Sequence, residues 1–370
     1  MSVTWDFRGS MAQIDAFFKL MHEQKASDLH LAAGSQPVLR INGELQRVKY
    51  KVLENDELKA MLYEITPEEK IKRFEETGDL DFAYEIPGLA RYRANFFKQK
   101  NGIGAAFREI PSQIKTAEEL GLPPVIYRLA LLPRGLVLIT GPTGSGKSTT
   151  LAAIIDYANQ NRKDHIITIE DPIEFIHPHK NCIVNQRELG THTRSFAAAL
   201  KGALREDPDI ILVGEMRDLE TISLALEAAA TGHLVLSTLH TTSAAKTVDR
   251  IIEVFPAHQQ PQIRSTLADG IRGVISQALF RRVDKPGRCV ALEIMIATHA
   301  VRALIREAKT YQIPSMIQTG KKYGMQSLDD AIMDLLSKGW ISPDEAYSKC
   351  VDKQKFLPFL KKAPTDFTEV

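Results

Sequence analysis

The run GPTGSGKS, Gly141 to Ser148, constrains this chain more than any other, because it lies between the apolar stretch GLVLIT (Gly135 to Thr140) and a helical run from Thr149 to Asn159. A strand that feeds a glycine-rich turn into a helix gathers main-chain N–H groups and the positive end of the helix dipole around one point. Such a nest suits a phosphate. Gly141, Gly144 and Gly146 let the backbone turn inward, and Thr143, Ser145 and Thr149 complete the expected nucleotide-binding set. Lys147 is expected to reach the β- and γ-phosphates, and the Ser148 hydroxyl to hold Mg²⁺. ATP with Mg²⁺ is the ligand this pattern implies, and the flanking strand and helix weigh against an empty glycine turn.

Three further segments place acids and histidines at strand ends. In DPDIILVGEMRD the apolar strand Ile210 to Val213 ends in Gly214-Glu215. Many phosphate-loop enzymes end such a strand in a metal-assisting Asp followed by a Glu that acts on water. Gly214 stands at the Asp place, so the metal must rely on Ser148, water and another carboxylate, and Glu215 is the candidate for orienting or deprotonating the attacking water. In TIEDPIEF the strand Ile166 to Ile169 leads into Glu170, Asp171 and Glu174, with Pro172 preventing further pairing. Ligands sit at the strand ends of parallel sheets, so these acids, Glu170 among them, are candidates for the metal or its water shell; a solvated acidic turn is the alternative for each. In TGHLVLSTLHTTSA, His233 and His240 mark the start and end of one strand. Period-two alternation turns them to opposite faces, which argues against a shared metal. Each is either a hydrogen-bonding sensor of phosphate or of a neighbouring subunit, or a structural residue.

The rest of the chain divides in two. Ile14, Phe17, Phe18 and Met21 recur at helical spacing, after which alternation takes over: VLRINGELQRV places Asn42-Gly43 between two strand-like runs, a hairpin signal. Leu80 to Ile86, Ala90 to Phe97 and Ile103 to Ile110 are further strands, giving an α+β first third. Pro111, Gly121, Pro123 and Pro124 mark a joint. Beyond it, short apolar strands alternate with helices, which implies a mostly parallel sheet. A chain of 370 residues fits two such domains. The 47 basic and 46 acidic residues leave no global field for a polyanion, so no nucleic acid is expected as partner. Cys182, Cys289 and Cys350 form no CxxC pair, so no zinc site and no disulfide framework is expected; with no signal-peptide pattern and no bilayer-spanning run, the expected location is cytoplasmic. Residues 1–10 are either native or an added leader, since Met11 serves equally well as a start.

Taken together, GPTGSGKS, TIEDPIEF, DIILVGEMRD and GHLVLSTLHTT resemble, in order and spacing, the four motifs of the secretion ATPase superfamily, over nearly the whole chain from Met11. The resemblance implies a fold of class α/β: an N-terminal PAS-like α+β domain over 1–112, a linker over 113–124 and a C-terminal RecA-like P-loop domain with a mostly parallel sheet over 125–370. It also implies a homohexameric motor that hydrolyses ATP at the cytoplasmic face of the inner membrane. Within the superfamily the chain is similar to the ATPases that retract type IV pili. It lacks the N-terminal extension and paired CxxC of the extension and type II secretion branch, and it carries AVRALIRE, Ala300 to Glu307, which resembles a retraction motif but differs at two places. Val301, Leu304, Ile305 and Ala308 are expected on one face of that helix and Arg302 and Arg306 opposite, in either a packed surface helix or a coupling element. The implied partners are an inner-membrane pilus platform protein and, through it, pilin subunits. The implied catalytic set is Glu215, Lys147 and Glu174, with Arg91, Arg93 and Arg108 of the N-terminal domain brought to the γ-phosphate by domain closure.

Overall fold

The computed structural model describes residues 12–41, 43–110 and 113–361. Two compact units divide the chain, Met1–Gln113 and Ile114–Val370.

In the first unit, helix α1 (Asp15–Glu23) precedes strands β1 (Asp28–Ala32), β2 (Val38–Ile41) and β3 (Glu44–Arg47); helices α2 (Asn55–Glu64) and α3 (Glu68–Thr77) then lead to β4 (Asp79–Ile86), β5 (Ala90–Gln99) and β6 (Gly102–Ile110). All pairings are antiparallel, in the order β3-β2-β1-β6-β5-β4. The expected hairpin is β2–β3, although Asn42 itself lies outside the described residues, as do Met11, Pro111 and the first ten residues. Alternation buries one face of the sheet, with Tyr92, Ala94 and Phe96 of β5 and Phe107 of β6 packed with Phe18 and Met21 of α1 and with Ile14 just before it. The same alternation turns Arg93 and Arg108 outward.

The second unit opens with residues 114–124, whose Ala117 and Leu122 are buried in its core, and continues through α4 (Val125–Ala130), β7 (Gly135–Thr140), α5 (Lys147–Asn161), β8 (His165–Glu170), β9 (Ile183–Glu188), α6 (Phe196–Ala203), β10 (Ile210–Val213), α7 (Leu219–Thr231), β11 (Leu234–Leu239), α8 (Ala244–Glu253) and α9 (Gln260–Gly270). Strands β12 (Ile271–Arg281) and β13 (Arg288–Ile296) and helices α10 (His299–Arg306), α11 (Ile313–Thr319), α12 (Leu328–Ser337) and α13 (Pro343–Lys349) follow. The sheet order is β13-β12-β7-β11-β10-β8-β9; the strands run parallel except β13, which turns back along β12. Every residue of β7, β10 and β11 is buried, as strands covered by helices on both faces must be. Alternate residues serve the two faces: Leu136, Leu138, Ile211 and Val213 pack toward α6–α9, and Val137, Ile139, Ile210 and Leu212 toward α4 and α5. In α10, Val301 and Ile305 are buried and Leu304 packs beside them as expected, but Ala308 lies past the helix end, exposed and with φ 57°, so it leaves the apolar face.

The N-terminal core turns on Phe18, which is fully buried, stacked on Tyr92 at 4.4 Å and met edge-on by Phe107 at 4.8 Å. Phe18→Ala should cost that unit about 3–5 kcal/mol in urea unfolding; a loss below about 1 kcal/mol would show that the aromatic cluster does not hold it.

Candidate nucleotide site

Parallel strands β7, β11, β10 and β8 end on one edge of the sheet, and the segments that follow them carry the motif residues. The loop after β7 is shaped by glycine. Gly141 and Gly146 have φ of 143° and 89°, and a Cβ on Gly141 would lie 2.5 Å from the Gln277 carbonyl oxygen. Helix α5 then starts at Lys147, so Ser148 and Thr149 stand half-buried in its first turn, where N–H groups lack intrahelical acceptors. Thr143 and Gly144 are exposed at the loop's tip. From β12, Gln277 Nε2 donates to the Ser145 carbonyl at 2.6 Å, and Ser276 Oγ and Thr140 Oγ1 share a hydrogen bond of 2.7 Å, which fixes the loop's base.

The cradle fits a phosphate chain on the evidence of its own atoms. The Ser145 hydroxyl is buried without a hydrogen-bond partner among the described residues, inside a loop whose glycines leave no Cβ in the way. The Lys147 ammonium donates to the carbonyls of Gly141 at 2.9 Å and Pro142 at 3.2 Å. Burial lowers its pKa, partly offset by Glu215 and Glu174, so these two carboxylates share its neighbourhood.

Glu215 follows β10 and is fixed through one oxygen. Arg217 Nε lies 2.7 Å and His240 Nε2 2.9 Å from Oε1. Burial raises its pKa, but the Arg217 hydrogen bond and charge and His240 outweigh that, and the carboxyl is held below its ordinary range. Arg217 also feels Asp171, which ties the acidic segment after β8 to the same cluster. Gly214 has a steric reason to be glycine: its N–H donates to Ile169 O at 2.8 Å, and a Cβ there would sit 3.1 Å from that oxygen. From β11, Thr238 Oγ1 donates to Gly214 O and Ser237 Oγ to Val213 O, both at 2.6 Å, fastening the turn that presents Glu215.

Glu170 is held differently. Its Oε1 accepts from Thr168 Oγ1 at 2.7 Å and Gln186 Nε2 at 3.2 Å, and burial pushes its pKa up to about 7. The two histidines part company. His240 joins Glu215, whereas His233 precedes β11 at the opposite edge of the sheet, about 20 Å away by strand rise, with Nδ1 against Ala228 O at 3.0 Å. Arg93 and Arg108 face one another across β5 and β6 in the N-terminal unit; Arg108 Nε pairs with Asp28 at 2.8 Å, Arg93 Nε with Asp81 at 3.8 Å and Arg91 Nη1 with Glu85 at 3.9 Å. Arg217 and Gln277 were not singled out from the sequence. Arg217 stood in plain view two residues beyond Glu215, while Gln277 acts across a distance in sequence that no local pattern spans.

Several known proteins are similar to this chain. The family model described as "Type II/IV secretion system protein" matches residues 124–322. The chain is 54% identical over 334 residues, 90% of its length and 97% of the relative's, to the type IV pilus retraction ATPase PilT of Pseudomonas aeruginosa. It is 51% identical over 310 residues, 84% of its length and 83% of the relative's, to a twitching motility protein of Neisseria gonorrhoeae. The crystal structure of a pilus retraction motor PilT with bound ADP superimposes with a TM-score of 0.86 at 43% identity, covering 94% of this chain and 99% of that one.

A glutamate with raised pKa destabilises the fold once it must ionise. Because the folded pKa of Glu170 lies above the ordinary carboxylate value, its protonated form is favoured at low pH and stability is lost as pH rises toward and through 7. Glu170→Gln should therefore raise stability at pH 8 by about 1–3 kcal/mol in urea unfolding and flatten its pH dependence between about 4.5 and 7; an unchanged slope would mean that Glu170 titrates normally.

Proposed function

The chain belongs to the type II/IV secretion system protein family, and we propose from that premise that it is a mechanical ATPase of the pilus-retraction branch, driving type IV pilus retraction and twitching motility. The observation that carries the chemistry is a strand-end carboxylate, Glu215, whose charge acts on the ammonium of the phosphate loop. Hydrolysis needs a water in line with the γ-phosphate and charge stabilisation on the departing oxygens. Lys147 and the N–H groups at the start of α5 supply the second. Glu215, held ionised with Oε1 occupied by Arg217 and His240, supplies the first as an acceptor that orients the water; a carboxylate below its usual pKa is a weak base but a fixed one.

Mg²⁺, when bound, neutralises charge on the β- and γ-oxygens. Ser148, in the first turn of α5, would hold it through its hydroxyl, as the phosphate-loop pattern implies. Glu170 is a weaker candidate ligand, because its Oε1 is engaged by Thr168 and Gln186 and its carboxyl is half protonated near neutrality. Glu174, electrostatically coupled to Lys147, remains with Asp171 as the acidic flank of the site.

The same reading holds the N-terminal unit to be PAS-like, supported by its antiparallel sheet order, and the C-terminal unit RecA-like, supported by its parallel sheet with the phosphate loop after an inner strand. It assigns Arg91, Arg93 and Arg108 to charge stabilisation at the γ-phosphate; the pairing of Arg93 with Arg108 across two strands gathers two cations on one face. It further takes the working form as a homohexamer acting on an inner-membrane platform protein, with pilins as indirect partners, at the cytoplasmic face of the membrane. Among the described residues no helix is long and apolar enough to cross a bilayer.

Lys147→Ala should abolish ATP turnover, and Glu215→Gln should leave nucleotide affinity within about threefold while lowering kcat by about 10²–10⁴; normal turnover in either would refute the site. Deleting the gene should leave surface pili and remove twitching, whereas absence of pili would move the protein to the extension branch.

A further inference from the structure

One strand beyond β12, whose Gln277 holds the phosphate loop, β13 forms an outer edge of the C-terminal sheet and floors a cleft of about 950 Å³. One wall is the segment from Glu118 to Val125 that enters α4, and the other is α12. Neither the nucleotide chemistry nor the motif residues use it.

Two independent features of this cleft point to its ligand. The first is backbone. Ile294 donates to Gln326 O at 2.9 Å and accepts from Gln326 N at 3.2 Å, so both of its main-chain groups face away from β12. Antiparallel ladders alternate, and Arg282 N donating to Gly287 O at 3.1 Å fixes the same phase at the far end of β13. Leu292, Val290 and Arg288 therefore also direct N–H and C=O outward, and the Leu292 carbonyl is already taken by Gln326 Nε2 at 2.8 Å. Gln326 thus occupies one end of the edge and leaves an open row over Val290 and Arg288, with Val290 and Leu292 lining the cleft. Exposed edges of this kind are templates for strand addition unless blocked.

The second feature is charge. Seven cationic side chains line the cleft against four acidic ones. The acids on the α12 wall are already engaged: Asp330 by Lys355 at 3.0 Å and Lys321 at 3.6 Å, and Asp334 by Lys338 at 2.6 Å. Arg282 is likewise spent on Asp284 at 2.6 Å. Arg128, Arg288 and Lys322 meet no carboxylate among the described residues; Arg128 donates to Tyr323 O at 2.9 Å, and Lys322 lies over the Tyr323 ring at 5.0 Å. Glu118 and Glu119 on the opposite wall offset only part of this, and a cation excess beside edge amides asks for a chain that brings both carboxylates and its own peptide bonds.

We propose that the β13 edge is a docking site for an acidic, extended segment of a partner polypeptide, which adds as a further strand with Val290 supplying its main-chain bonds and Arg288, Lys322 and Arg128 meeting its carboxylates. A nucleic acid fits less well. Its phosphates would leave the edge carbonyls unmatched, and Trp340, the aromatic ring lining the cleft, is already engaged by Arg282 at 3.9 Å and Lys338 at 5.2 Å.

The test uses the full chain and a fluorescein-labelled heptapeptide alternating Glu and Val, followed by fluorescence anisotropy. Saturable binding that weakens as salt rises is expected, together with affinity about tenfold lower in Val290→Pro, which deletes an outward N–H not used by the β12 ladder, and in Arg288→Glu. Val290→Thr, which keeps the N–H, should bind as the parent does, a Lys-Val heptapeptide should not bind, and ATP turnover should be unchanged in all three variants. Undiminished binding by a folded Val290→Pro variant, tighter capture of a single-stranded oligonucleotide than of the acidic peptide, or loss of the parent's oligomeric state in Val290→Pro would each overturn the proposal. The nucleotide reading stands or falls separately, since none of these residues touches the phosphate loop.

Discussion

The structure rests on four neighbouring parallel strands ending at the same edge of one sheet. Strands about 4.8 Å apart put whatever follows them into one row, so the loop after β7, the histidine after β11, the carboxylate after β10 and the acids after β8 become neighbours although Gly141 and His240 lie 99 positions apart in the chain. Their shared floor is apolar and buried on both faces, which fixes register by the cost of turning Val, Leu and Ile residues to water. The chemistry is therefore held by the packing. Gly214 shows how tight this is: the turn that presents Glu215 passes so near β8 that a side chain there would press on the Ile169 carbonyl.

The same edge drives two glutamates in opposite directions. Glu215 is kept ionised because a guanidinium and an imidazole meet one of its oxygens; Glu170, one strand over, is enclosed and pushed toward neutrality with a hydroxyl and an amide as its partners. Carboxylates whose environments separate their titrations take separate roles. Glu215 is suited to positioning a polar reactant, and Glu170 to bracing the strand end, with the hydrogen bond it accepts from Gln186 tying β8 to β9.

Local features were legible in the sequence, and features that depend on distant pairing were not. Strand, glycine turn and helix around Lys147 lie within one short stretch, so residue type and order were enough to read them. Five of the six strands of the N-terminal sheet were equally plain, since alternation and turn residues are local signals, whereas the short β1 was not. By contrast, β9, β12 and β13 carry mixed polar and apolar residues whose role appears once their neighbours are known, and with them Gln277 escaped notice. Gly214 looked like a missing acid because the pattern shows what stands at a position, while the reason for glycine lies in a strand brought close by the fold. Ala308 fitted a helical face by spacing alone, yet the chain turns left-handed there and leaves the helix.

On the function proposed above, Glu215, ionised and clamped through a single oxygen, is the group whose charge state governs turnover beside the phosphate loop. The most direct measurement is kcat for ATP hydrolysis against pH in the parent and in Arg217→Gln. Removing the guanidinium lifts the Glu215 pKa, so the acid limb of the profile should move to higher pH while nucleotide still binds. An acid limb that stays in place with Arg217 gone would contradict the claim.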